Sequence, residues 1–222
     1  MTAVTPNIAN NDKGANEAHR FAEARRTRVA KTEQAMHTFY KPPAELPQDL
    51  KNTYNDRKNT MGGKYLETRD ETWPQIIKRI RHDVAILEKA GGIPKGWKTI
   101  MELVHEYEGP EELNIELRSQ PGTIRPTRHI RPTDIYDPNN EGELKAEVRD
   151  QMEQETGIHN CTYEQAEEYC RKHPAMMVPD EAAEDAVDNV QKIANQYALR
   201  AYSRKTGDSI YGHCSTVILA ID

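Results

Sequence analysis

The run TWPQIIKRIRHDVAILEKAGGIPKGWKTIMELVHEY, residues 72–107, decides the fold class. Thr72 offers a side-chain oxygen to cap a helix, and Trp73-Pro74 suit its first turn, where the N–H that proline lacks would have had no partner. Trp73, Ile76, Ile77, Ile80, Val84 and Leu87 then recur at the spacing of one helix face. Gly91-Gly92-Ile93-Pro94 breaks that pattern. Beyond it Trp97, Ile100, Met101, Val104 and Tyr107 read as a second helix. The expectation is a helical hairpin at the centre of the core.

Towards the C-terminus, Leu113, Ile115 and Leu117 alternate with Asn114, Glu116 and Arg118, the period of a strand. Gln120-Pro121-Gly122-Thr123 fits a type II turn. The returning segment contains Pro126, which restricts it to an edge strand. Arg131-Pro132, Asp137-Pro138 and Asn139-Asn140 mark a linker. A short helix carrying Leu144, Val148 and Met152 follows, then a helix opened by Thr162 with Gln165 in capping-box spacing. A longer helix is expected from Asp180 to Arg204, with Ala183, Val187, Val190, Ala194, Tyr197 and Ala201 in a heptad-like seam. Ile210 to Ile221 reads as a terminal strand that must pair with the 113–130 hairpin or with another chain.

Towards the N-terminus, residues 15–40 lack Gly and Pro and read as a helix, but its apolar side is thin: Phe21, Val29, Met36 and Phe39. Such a helix needs something to dock on. The polar residues 1–14 read as an extended arm, and 41–64 as a linker broken by Pro42, Pro43 and Pro47. The expected class is mainly α with a small antiparallel β element. The expected segments are residues 1–64 (arm, basic helix and linker), 65–136 (helical hairpin and β-hairpin) and 137–222 (acidic helical region and terminal strand).

Composition narrows the function. Of the 222 residues 36% are hydrophobic and 30% charged, and ten of the fourteen aromatics are Tyr, a residue suited to interfaces as well as cores. The net charge of −6 is unevenly spread. Residues 1–136 hold 22 basic and 19 acidic side chains, a balance of +3; residues 137–190 hold 4 and 15, a balance of −11; residues 191–222 hold 4 and 2, a balance of +2. An acidic block between basic ones favours charge-guided packing over coating nucleic acid. No apolar run approaches the ~20 residues that cross a bilayer, so no membrane partner is expected. Three cysteines, Cys161, Cys170 and Cys214, show no disulfide framework and suit the cytoplasm or a particle assembled there.

Several chemistries can be weighed. His159, Cys161, Cys170 and His173 are zinc ligands by type, but a continuous helix of nine residues separates the two cysteines by ~13 Å, too far for one ion. Asp134 or Asp137 followed by Glu143-Leu144-Lys145 resembles a nuclease carboxylate set, yet Glu143 and Lys145 fall at a helix start. His213 and Cys214 are neighbours on a strand and point to opposite faces. No phosphate-binding glycine loop, H-E-x-x-H or G-x-S-x-G is present. No catalytic residue, metal or cofactor is therefore expected. Two basic clusters remain: Arg20, Arg25, Arg26, Arg28 and Lys31, and Arg118, Arg125, Arg128, His129 and Arg131, the latter free of acids from Glu116 to Asp134. Such clusters can neutralise phosphates or dock on an acidic partner.

The expected function is a non-enzymatic structural protein that assembles with copies of itself or into a larger particle. The nine Lys and Arg of the clusters would bind the partner, and Val187, Val190, Ala194, Tyr197 and Ala201 would form the oligomer interface. A virion connector or accessory protein has such a design, although nothing in the sequence speaks for a viral origin. The alternative is a nucleic-acid-binding regulator acting through the clusters at 20–31 and 118–131.

Overall fold

A computed structural model describes residues 8–46, 60–104, 111–123, 125–136, 146–159, 161–202 and 209–220. Among them are six α-helices and several small sheets, an α+β mixture. Contacts divide the chain into two compact units. Unit 1 is residues 1–27 with 127–179; unit 2 is residues 28–126 with 180–222. The boundaries expected at 64 and 136 fall inside units, because strands distant in sequence pair across them.

Unit 2 is built on the quoted stretch. Helix α1 (Ile8–Met36) belongs to it from Arg28 onward; β1 (Thr60–Met61) and the short α2 (Tyr65–Thr68) follow. Then comes α3 (Trp73–Lys89), which starts after Thr72 as expected, although the Thr72 hydroxyl does not accept from the first turn; instead the Gln75 side chain accepts from the Thr72 N–H at 2.8 Å. Ile76, Ile80, Val84 and Leu87 are buried on its inner face.

The second half of the expected hairpin is not a helix. Lys98–Val104 forms strand β2, antiparallel to β3 (Glu112–Arg118), with Met101 opposite Ile115 and Leu103 opposite Leu113. In the helical reading Ile100, Met101 and Val104 share a face; in the strand Met101 turns inward and Ile100 outward. Pairing with the apolar Leu113-Ile115-Leu117 row outweighs the weak helical spacing. Tyr107 lies outside the described residues.

β3 does not turn back on itself. The type II turn forms as expected, with Gly122 at φ 82° and the Thr123 N–H bonded to the Gln120 carbonyl at 3.0 Å. The chain beyond it leaves the sheet, however, and Thr127–His129 (β4) pairs with Met177–Pro179 (β5) in unit 1. The second neighbour of β3 is β8 (Ser215–Ala220), in parallel.

The helix expected to reach Arg204 ends at Asn195. Helix α6 (Glu181–Asn195) is capped by Asp180, whose carboxylate accepts from the Ala182 N–H at 2.9 Å. Leu199–Tyr202 is then strand β6, between β1 and β7 (Ser209–Gly212). The expected single terminal strand is thus two, β7 and β8, broken at His213, whose φ of 49° is left-handed. The core of unit 2 lies between sheet β2-β3-β8 and the helices α3 and α6: Leu113, Ile115, Leu117 and Val217 meet Ile80, Leu87, Val190 and Ile193. Met36 of α1 joins this core, the docking that its thin apolar side calls for.

In unit 1, α4 (Ala146–Thr156), α5 (Tyr163–Lys172) and β4-β5 enclose Ile130, Ile135, Met152, Ala166, Tyr169 and Val178. Leu144 lies outside the described residues. Thr162 caps α5 by accepting from the Gln165 N–H at 3.3 Å, while Gln165 accepts from the Thr162 N–H at 2.8 Å. The early residues of α1 belong here too. Helix, not an extended arm, begins at Ile8, and residues 1–7 are outside the described set. Gly14 makes the docking tight, since a Cβ on it would lie 2.3 Å from the Tyr163 ring. The Tyr163 hydroxyl donates to Glu17 at 2.5 Å.

Candidate functional site

Unit 2 holds a groove of about 1190 Å³ between the later half of α1, the end of α3 with its Gly91–Lys95 loop, and α6. Val29, Met36, Ile93 and Pro94 supply apolar lining; Arg28, Glu33, Lys89, Asp188 and Lys192 supply charges of both signs. The volume is above the ~300–1000 Å³ usual for small-molecule sites. One wall is fixed by Arg28, which donates to the Asp185 carboxylate at 2.6 Å. A basic residue of the first cluster thus meets the acidic block within the same chain. Sequence reasoning identified Arg28 and Val29 but missed Asp185 and Asp188 as their neighbours; the acidic first turns of α6 were the available signal.

The second surface is sheet β2-β3-β8. Its inner face carries Met101, Leu113, Ile115, Leu117 and Val217; its outer face presents Lys98, Ile100, Glu102, Val104 and Ile218. Both outer strands lack a further strand neighbour among the described residues, but the two edges differ. Along β8 the Gln191 side chain accepts from the Val217 N–H at 3.1 Å and donates to the Ser215 carbonyl at 3.2 Å, standing in for part of a strand. The terminal strand is therefore paired inside the chain and partly covered on its free side.

The other expected site residues divide as follows. Val190, Ala194 and Tyr197 are buried in the core of unit 2, and Val187 packs against it. The expected oligomer seam is a correction: it faces this chain's own sheet and α3. Ala201 lies past the helix, in β6. Among the basic residues, Arg128 donates to both carboxylate oxygens of Asp134, at 2.6 and 2.8 Å, inside unit 1. Arg118 bonds Glu116 at 2.6 Å, and Arg131 stacks over the Phe21 ring at 4.7 Å. Arg20, Arg26, Lys31 and Arg125 are exposed and Arg25 is half-buried. The members of each cluster are shared between the two units.

The groups weighed above for chemistry have the following partners. Asp134 is committed to Arg128 and to the Arg131 N–H at 2.8 Å; Asp137, Glu143 and Lys145 lie outside the described residues. His159 pairs with Glu153 at 3.0 Å, and His173 bonds the Tyr169 carbonyl at 2.9 Å. Among the described residues no three His, Cys, Asp or Glu side chains gather as a metal would require. Burial pushes the Cys170 thiol up to about 12 and the Cys214 thiol above its ordinary value, the reverse of a reactive cysteine. Comparison with protein families, curated proteins and solved structures gave no match.

His213 is the one non-glycine residue with positive φ among the described residues. Its Nε2–H donates to the Glu71 carbonyl at 3.1 Å, its ring meets Trp73 edge-on at 5.0 Å, and its buried Nδ1 has no partner. Burial therefore holds its pKa below 6.5. The neutral ring is favoured in the folded state, whereas the unfolded chain takes up the proton near pH 6.5. Stability contributed here is present above that pH and declines as pH falls from about 6.5 towards the lower folded value. His213→Asn, which tolerates the same backbone, should flatten the decline in urea midpoint between pH 7 and 5. An unchanged slope would refute the assignment.

Proposed function

We propose that this chain is a non-enzymatic assembly protein that packs into a homo-oligomer or a larger particle. The observation that carries the reading is the open sheet of unit 2. Of the six large apolar side chains exposed among the described residues, Leu103 (36%), Val104 (44%) and Ile218 (41%) lie on β2 or β8, while Phe21, Leu66 and Met177 lie apart from this sheet. Single exposed apolar residues are ordinary. Val104 and Ile218 share the outer face of one small sheet whose β2 edge has no described strand beside it, and these suit a contact surface. No helix among the described residues is long and apolar enough to cross a membrane. A reducing compartment, the cytoplasm or a particle assembled there, is part of the proposal, supported by three unpaired thiols.

The nucleic-acid alternative loses ground because Arg28, Arg118, Arg128 and Arg131 have partners within the chain. Light scattering on a sizing column, read at 260 and 280 nm in low and moderate salt, tests the two together. A defined oligomer free of nucleic acid is the expected result. A monomer carrying nucleic acid that salt strips away would put the regulator in its place, and a clean monomer would end both readings.

A further inference from the structure

We infer that β2 is a homodimer edge: it pairs antiparallel with β2 of a second copy about Ile100, joining two three-stranded sheets into one of six. The inference rests on the assembly reading and names its contact. β2 is seven residues long, contains no proline, and lies at the end of the order β2-β3-β8 with its outer side unpaired by any described strand. β8, the opposite end, is partly occupied by Gln191.

Charge selects both the partner and the register. Lys98, Ile100 and Glu102 alternate with Thr99 and Met101, so all three face the outer side of the sheet. Centred on Ile100, two antiparallel copies place Lys98 of each opposite Glu102 of the other, with the two Ile100 side chains between them. Thr99 then lies opposite Met101 on the inner side. Moving the centre to Met101 would set Lys98 against Val104 and Glu102 against Ile100, leaving both charges without a counterpart. Centring between two residues would put the inward row of one copy against the outward row of the other. Only the Ile100 register keeps the helix-covered faces together and matches the charges, and a second copy supplies that pattern by symmetry. Lys98 stands opposite Arg118 within its own chain, and the Arg118 guanidinium is paired there with Glu116.

The test is a charge exchange read by sedimentation across protein concentration. Glu102→Lys sets Lys against Lys at both ends of the pairing, and Lys98→Glu sets Glu against Glu. Each should raise the dimer dissociation constant about ten- to hundred-fold. Lys98 is exposed at the start of β2, so its replacement disturbs no buried contact. The double variant Lys98→Glu/Glu102→Lys restores opposite charges and should recover the dimer. An oligomer that forms equally well in both single variants would overturn this contact and leave the assembly reading standing. A parent chain that stays monomeric at every concentration would overturn both.

Discussion

Asp134→Ala should destabilise unit 1 by about 3–5 kcal/mol, the cost of leaving one member of a buried ion pair behind. Asp134 is fully buried, with a side-chain exposure of 0%, and Arg128 is nearly so at 10%. The carboxylate accepts two bonds from the guanidinium and a third from the Arg131 N–H, so it fastens β4 to the 3₁₀ turn Pro132–Asp134. Removing it strands a charge that always stays protonated. A loss of this size is a large fraction of the 5–15 kcal/mol that holds a typical domain. Both tryptophans, Trp73 and Trp97, belong to unit 2, whereas α4 and α5 belong to unit 1. In urea, far-ultraviolet circular dichroism should therefore show an early loss of helix, while the tryptophan transition moves little. Arg128→Met combined with Asp134→Leu should regain much of the loss, because apolar replacement of both partners removes the stranded charge. A dichroism midpoint unchanged by Asp134→Ala would defeat this account.

Local signals in the sequence were read more faithfully than distant ones. Thr72 with Trp73-Pro74, and Thr162 with Gln165, mark helix starts because the groups that set them lie within four residues. Gln120 to Thr123 likewise dictates its own turn. Residues 98–104 misled because Ile100, Met101 and Val104 satisfy helical spacing as well as a short strand does; the choice was made by Leu113, Ile115 and Leu117, which no local window contains. The seam from Ala183 to Ala201 was real as far as Ala194. The sequence carries no glycine or proline near Asn195, so nothing local stops the helix there; the strand pairing of Leu199 and Arg200 with Met61 and Thr60 is the distant competitor. The candidate surface was the least legible part. Residues 98–104 fit a helix locally, and what sets the β2 edge apart from that of β8 is the Gln191 side chain covering β8, a contact between residues more than twenty positions apart.

Asp83→Ala should have a comparable effect in unit 2, and here the order of several variants discriminates. Asp83 Oδ2 takes a charged bond from Lys64 Nζ at 2.5 Å and a hydroxyl bond from Tyr197 at 2.7 Å. Lys64 Nζ also lies 3.1 Å from the Tyr197 hydroxyl and 5.1 Å from its ring centre. Two groups, one just past the end of α6 and one from the segment before α2, thus meet at one buried carboxylate of α3. Burial, then the bond to Asp83, holds the Tyr197 hydroxyl far above its ordinary pKa, so it stays a donor across any working pH. Deleting Asp83 leaves an ammonium and a hydroxyl without their acceptor, about 3–5 kcal/mol for the charge alone. Tyr197→Phe removes one neutral donor and leaves the ion pair in place, so about 0.5–1.5 kcal/mol is expected. Lys64→Met combined with Asp83→Leu should lie closer to the parent than Asp83→Ala does, since the pair leaves together. Tryptophan fluorescence during urea unfolding reads all three variants in the unit where the bonds are made. Equal losses for Asp83→Ala and Tyr197→Phe would mean that Lys64 reaches water without Asp83, and the buried triad would not be what fastens α3 to the end of α6.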